Sequence, residues 1–90
     1  MTAQKFRRSE QALHSEIGDD VVALHIARGH CFGMANVTAD VWRLLSEERS
    51  LDELCAQLLE EYDIDEDTCR TEVGQLIDVM TNEGLIERVA

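Results

Sequence analysis

The spacing of apolar residues changes once along the chain, near Asn36, and this change limits the folds that the chain can adopt. Before Asn36, short β-prone runs are separated by Gly and Asp, which form turns. After Asn36, apolar residues recur three and four positions apart, as on one face of a helix. The sequence therefore predicts a region of strands followed by a region of helices.

Three short strands are predicted in the first region. They cover residues 13–17, 21–27 and 30–36. The turn sequences "GDD" and "RG" separate them, so we predict a meander of three antiparallel strands. Side chains alternate between the two faces of a strand, which places Val22, Leu24 and Ile26 on one face of the second strand. Phe32 and Met34 share a face of the third strand. We expect these apolar faces to look toward the helices.

Three helices are predicted in the second region. Thr38 is expected to cap the first helix, which carries Trp42 on its apolar side as a core residue. Ser50–Glu53 matches the capping box and so begins the second helix. Asp65 is expected to cap the third helix, and Gly84 to end it in a left-handed conformation. The predicted fold is α+β and winged helix-turn-helix-like, with a three-stranded antiparallel sheet followed by three helices.

The length of 90 residues allows one small domain with a modest core. We assign residues 1–12 to a flexible N-terminal arm and residues 13–90 to a single domain. No apolar stretch is long enough to cross a bilayer, and no apolar run follows the basic N-terminus as it would in a secretory signal. We therefore expect a cytoplasmic protein.

The formal net charge of −11 comes from 8 Lys and Arg against 19 Asp and Glu. Much of the negative charge lies between Glu47 and Asp67. Such a charge repels phosphate backbones and anionic membranes, so we expect neither nucleic acid nor a membrane as a partner. A winged-helix regulator is an alternative with the same fold, but Arg70 is the only basic residue of the second and third helices.

Residues that could carry chemistry are few. Three cysteines at wide spacing, with no CxxC pair, indicate reduced and mostly buried thiols. The glycines form no phosphate-binding motif. One group of residues could bind a transition metal, and we interpret it instead as ordinary strand positions: His14, His25, His30 and Cys31. We therefore predict a protein that is not an enzyme and has no cofactor and no bound metal.

Two glycines suggest a place where another backbone approaches. Gly33 interrupts the third strand, and glycine in a strand often marks close approach of a second backbone. Gly74 lies inside the third helix, where glycine costs about 0.5–1 kcal/mol relative to alanine. Tight packing of Gly74 against the protein's own strands is the simpler explanation. The alternative is an extended peptide that adds to the third strand beside the third helix.

The same segments occur in a known order and spacing. A strand rich in Val and Leu comes first, followed by a Gly, an aromatic residue, an aliphatic residue and an Asn. An aliphatic-Trp pair, a helix that starts at a Ser, and a final Gly-Leu-Ile complete the order. In this chain the residues are Val22, Leu24, Gly29, Phe32, Met34, Asn36, Val41, Trp42, Ser50 to Leu54, and Gly84 to Ile86. In this pattern residues 13–87 resemble the PqqD-like proteins, the standalone RiPP recognition elements.

The resemblance implies a non-catalytic peptide chaperone that binds the leader segment of a ribosomally synthesised precursor. The leader would add as a strand to the third strand, against the third helix, and be delivered to a leader peptidase or another modifying enzyme. Carried over by position, the peptide-binding residues are Cys31, Phe32, Gly33, Met34, Ala35, Arg70, Val73, Gly74 and Ile77.

The pathway is less closely defined by the resemblance. Proteins of pyrroloquinoline quinone synthesis tend to carry a "YPEG"-like turn where this chain has "ARGH" at residues 27–30. This departure argues against that pathway. The small size and the expected cytoplasmic location fit a lasso peptide system, which we favour, with other leader-dependent systems, including radical-SAM ones, left open. Outside the family, the alternatives are an acidic protein–protein adaptor and the winged-helix regulator. The exposed third strand also allows a homodimer.

Overall fold

The structure is a computed structural model that describes residues 4–89. It contains six strands and three helices within that range. In chain order these are β1 (Lys5–Arg8), β2 (Ala12–Ile17), β3 (Asp20–His25), β4 (His30–Met34), α1 (Asn36–Leu44), β5 (Arg49–Ser50), α2 (Leu51–Glu61), α3 (Glu66–Asn82) and β6 (Ile86–Val89). The predicted α+β class, with a three-stranded antiparallel sheet followed by three helices, is confirmed.

The predicted meander is the sheet of β2, β3 and β4, in that order. Gly18 in the first turn and Gly29 in the second both have positive φ values, 63° and 69°. A residue with a Cβ atom disfavours this conformation, so glycine suits both turns. Because β3 lies in the centre, β4 is an edge strand of this sheet.

The face of β3 that meets the helices differs from the prediction. Val21, Ala23 and His25 are buried, whereas Val22 and Leu24 are only half-buried on the outer face. The histidine is tolerated inside because its Nδ1 accepts the backbone N–H of Arg28 at 3.1 Å. On β4 the prediction is correct, since Phe32 and Met34 pair with Ala23 and Val21 and share their inner face.

A second sheet, of order β5-β1-β6, was not predicted from the sequence. In it β1 pairs with β6 along Lys5–Arg8, and Phe6 is buried at 6% exposure. The prediction of a flexible arm over residues 1–12 is therefore wrong for residues 5–8, which lie between two strands. Residues 1–3 of that arm, and Ala90, lie outside the described residues.

The helix boundaries follow the capping residues in two of three cases. Ser50 and Glu53 form the predicted capping box of α2, and the Asp65 carboxylate accepts the N–H of Thr68 at the start of α3. Helix α1 begins at Asn36 rather than after Thr38, with no side-chain cap. Asn36 has a φ of 54°, a conformation that asparagine adopts more readily than most residues.

The core lies between the meander, the helices and the second sheet. Trp42 is fully buried, as predicted, with the Arg8 guanidinium 4.8 Å from its ring centroid and His14 at its edge. Cys55 and Cys69 are buried side by side, and burial, followed by the neighbouring thiol, raises the pKa of Cys55 to about 11. Cys31 is exposed, so the expectation of mostly buried thiols holds for two cysteines of three.

The helices of the described residues lack the features of a membrane span. Within residues 4–89, no helix is both long enough and apolar enough to cross a membrane.

Candidate functional site

The outer edge of β4 is the first component of the candidate site. Among the described residues, β4 pairs with β3 alone. Its backbone is accessible at Cys31 and Gly33, and the following Ala35 is also exposed. A Cβ atom built on Gly33 would meet nothing within 4 Å, so no neighbour within the protein requires glycine there. The edge is open to a further strand.

A groove runs beside this edge, between α3 on one side and β4 with the start of α1 on the other. It consists of two adjoining cavities of about 290 and 140 Å³, which share Thr38, Leu76 and Val79. The remaining lining residues are Val37, Glu72, Val73 and Gln75 in the first cavity and Phe32, Gly33, Met34, Met80, Glu83 and Leu85 in the second. We call this surface the β4–α3 groove.

The β4–α3 groove is apolar in its centre. Val79 is 57% exposed although it is a large hydrophobic residue, and Leu76 one turn before it is half-buried. Phe32 and Met34 supply the strand side of the same surface. An exposed apolar surface of this kind next to a free strand edge is suited to binding another chain.

One end of the β4–α3 groove is held in place by the turn between β3 and β4. Arg28 Nη1 donates to the carbonyl of Asn82 at 2.8 Å, which ties the turn to the end of α3. Gly84 ends the helix with a φ of 77°, and a Cβ atom there would lie 2.8 Å from His25 Nε2. His30, the first residue of β4, has Nδ1 3.8 Å from the Glu83 carboxylate. The spacing of β4 and α3 is thus set at this end by direct contacts.

The strand residues of the predicted site lie together on or beside the edge. Cys31, Gly33 and Ala35 are exposed, Phe32 is half-buried, and Met34 is buried at the floor of the groove.

Of the helix residues of the predicted site, Val73 alone lines the same groove. Ile77 lies in the core at 3% exposure. Arg70 contacts Asp52 of α2 at 2.6 Å, and this ion pair raises the pKa of the arginine. Arg70 and Gly74 therefore lie on the flank of α3 that faces away from the β4–α3 groove.

Sequence reasoning missed five groove residues of α3 and the residue that follows it: Glu72, Gln75, Leu76, Val79, Met80 and then Glu83. The signal that could have found them is Val79, an apolar residue outside the core stripe and one turn from Leu76.

No packing contact in the described structure explains why position 74 is a glycine. A Cβ atom built on it meets nothing within 4 Å, so tight packing against the protein's own strands does not account for it. We expect Gly74→Ala to raise the free energy of unfolding by about 0.5–1 kcal/mol, because alanine loses less backbone entropy in a helix. Urea denaturation followed by circular dichroism measures this change, and a loss of stability would show a close contact at this position.

The histidines considered as metal ligands are separated in the fold. His14 contacts the Trp42 ring, His25 is buried against Gly84, and His30 lies beside Glu83. Within residues 4–89, no three His, Cys, Asp or Glu side chains are grouped closely enough to hold a metal ion.

Comparisons with known proteins give one family and two similar structures. Residues 20–86 match the family described as Coenzyme PQQ synthesis protein D (PqqD). A structure of TbiB1 in complex with the TbiA(beta) leader peptide is similar over 93% of this chain and 98% of that chain, with a TM-score of 0.87 and 28% sequence identity. A lasso peptide synthetase B1 complexed with its leader peptide shares the fold, with a TM-score of 0.81, 16% identity, and coverage of 91% and 96%. No curated protein matches the sequence.

Proposed function

Because the chain belongs to the PqqD family, we propose that it is a RiPP recognition element that binds the leader segment of a ribosomally synthesised precursor peptide. The observation that carries this proposal is the open edge of β4 beside the apolar β4–α3 groove. The leader adds to β4 as a further strand, and alternate side chains on one of its faces enter the groove. The protein supplies binding and presentation, and a partner enzyme supplies the chemistry.

Two kinds of interaction stabilise the proposed complex. Main-chain hydrogen bonds to the edge of β4 depend little on the leader's sequence. The groove supplies selectivity, because Leu76, Val79 and Phe32 remove apolar leader side chains from water at about 25 cal/mol per Å² of buried surface.

The binding residues that we propose differ in part from those expected from the resemblance. On the strand side they remain Cys31–Ala35. On the helix side Val73 remains, and we add Glu72, Leu76 and Val79. We leave out Ile77, which lies in the core, and Arg70 and Gly74, which lie on the flank of α3 away from the groove.

A lasso peptide system is the pathway that we propose, with delivery of the bound leader to a leader peptidase. Two observations support it: the similarity in fold to a lasso peptide synthetase B1, and the residues 27–30 in place of a "YPEG"-like turn. Sequencing of the genes beside this one tests the pathway, because a lasso system requires a leader peptidase and a ring-forming enzyme there.

Gly33→Pro tests strand addition directly. Proline has no N–H and does not fit a regular strand interior, so the edge of β4 is distorted at the centre of the proposed contact. We expect leader affinity to fall about tenfold or more, which corresponds to about 1.4 kcal/mol or more. Isothermal titration calorimetry with the leader half of the precursor encoded beside the gene measures this loss.

Gly33→Ala is the matched control for that variant. Alanine keeps the N–H, and its Cβ atom has free space, so affinity should stay within about twofold of the original value. Equal affinity for the proline variant, with helical content retained, would show that the peptide does not use this strand.

A second copy of the chain could compete for the same edge of β4. Sedimentation equilibrium with and without leader peptide distinguishes the two partners, since leader binding should dissociate any dimer formed through β4.

A further inference from the structure

The two ends of the β4–α3 groove carry carboxylates, and within the described residues no Lys or Arg forms an ion pair with either of them. Glu72 lies in the first cavity and Glu83 in the second, with the apolar residues Leu76 and Val79 between them. Within the described residues, Glu72 makes no ion pair and Glu83 contacts only His30, at 3.8 Å. The groove therefore combines an apolar centre with two acidic ends.

Most of the Lys and Arg residues lie away from the groove. Five of them form ion pairs with carboxylates outside the groove: Lys5, Arg7, Arg43, Arg49 and Arg70. Arg8 donates to the carbonyl of Trp42, and Arg88 lies on β6 in the second sheet. Arg28 lies at the Glu83 end of the groove, where its guanidinium donates to the carbonyl of Asn82. With a net charge of −11 over the whole chain, we expect a negative electrostatic potential along the groove.

We infer that the groove selects a leader segment with a basic residue at each end of a short apolar stretch, one placed at Glu72 and the other at Glu83. This inference rests on the proposed function and specifies which leaders the site accepts. A leader with acidic residues at these two positions is repelled, because like charges brought together on binding cost affinity.

The spacing of the two basic residues follows from helix and strand geometry. Glu72 lies on α3 and Glu83 caps its C-terminal end, eleven residues later, which corresponds to about 16 Å along the helix axis. Leader residues on the same face of a strand are separated by even numbers, and four or six positions span about 13 or 20 Å. The flexible side chains of lysine or arginine cover the remaining difference. The two basic residues are thus four or six positions apart, with apolar residues on the same face between them.

The direction of the groove agrees with this arrangement. His30 begins β4 near Glu83, at the end of α3, while Val37, which follows β4, lines the cavity that contains Glu72. β4 and α3 therefore run in opposite directions along the groove. A strand added to β4 lies beside Glu83 and reaches Glu72 where it continues past the end of β4 along Val37 and Thr38.

Neutralisation of the two carboxylates tests the inference. Calorimetry with the leader half of the precursor encoded beside the gene should show about a three- to tenfold loss of affinity for Glu72→Gln/Glu83→Gln. The affinity of the unchanged protein should weaken as NaCl is raised from about 50 to 500 mM, and the variant should lose most of this salt dependence. Glu60→Gln/Glu61→Gln is the matched control, with the same change in net charge on α2, outside the groove.

A charge exchange adds a positive test. A leader whose two basic residues are replaced by glutamate should bind the unchanged protein weakly. The same leader should bind the Glu72→Lys/Glu83→Lys variant at least about threefold more tightly than it binds the unchanged protein. If the native leader binds β4 but the glutamine variant keeps its affinity and salt dependence, the inference is wrong and the proposed function stands. If the native leader shows no binding to the unchanged protein, both are wrong for that leader.

Discussion

Val79→Glu should weaken leader binding by about 100-fold while leaving the fold intact. Val79 is 57% exposed, so the free protein accommodates a charged side chain there without a change in the core. In the proposed complex, the leader covers this position, and the new carboxylate would be buried in the apolar centre of the groove without a partner. Burying an unpaired polar or charged group costs about 2–3 kcal/mol or more, which gives the expected factor.

Gly74→Glu is the matched control, because it adds the same charge to α3 on the flank away from the groove. A Cβ atom has free space at this position, and the new carboxylate lies one turn from Arg70. Leader affinity, measured by calorimetry, should stay within about threefold of the original value for this variant. Similar losses for both variants would mean that net charge, and not the apolar centre of the groove, governs binding.

Trp42→Ala should lower the free energy of unfolding by about 3–5 kcal/mol, the cost of removing a large buried aromatic side chain. Trp42 has no exposed surface, and its ring is enclosed by Arg8 on one face and by His14 at its edge. Small domains have a total stability of about 5–15 kcal/mol, so this single change removes a large part of it.

Urea denaturation followed by circular dichroism measures the effect, with Trp42→Phe as the control. Phenylalanine keeps an aromatic ring in the same cavity and should restore a substantial part of the lost stability. A loss below about 1 kcal/mol for the alanine variant would contradict a central packing role for Trp42.

Much of the fold could be predicted because its signals are local. Gly18 and Gly29 mark the turns of the meander, and the Ser50 capping box marks the start of α2, each within a few residues. The second sheet could not be predicted in this way. Its strands β1 and β6 lie at opposite ends of the chain, are four residues long, and carry three and two charged residues, so no local pattern identifies them as partners.

The buried face of β3 was mispredicted for a related reason. Val22 and Leu24 are more apolar than Ala23 and His25, and hydrophobicity alone therefore selects the wrong face. The face that carries His25 can be buried because the imidazole accepts a hydrogen bond from the backbone N–H of Arg28 and packs against Gly84. These contacts depend on the turn after β3 and on the end of α3, which the alternation within one strand does not reveal.

The candidate site shows the same division between local and distant information. Gly33 correctly indicated an accessible strand, since β4 lies at the edge of its sheet. Gly74 directed attention to the flank of α3 that carries Arg70, whereas the groove lies on the side that carries Leu76 and Val79. Which side of a helix lies beside a strand is decided by tertiary packing, and the apolar stripe of α3 fixes only the side that enters the core.

Strand addition in the β4–α3 groove is tested most directly by a backbone amide NMR titration of the isotope-labelled protein with the leader half of the precursor encoded beside its gene. The proposed complex predicts shifts at Cys31–Ala35 on β4 and at Leu76 and Val79 on α3, with Arg70 and Gly74 nearly unchanged. Shifts centred on Arg70 and Gly74, or none at a large excess of this leader, would contradict binding in the groove.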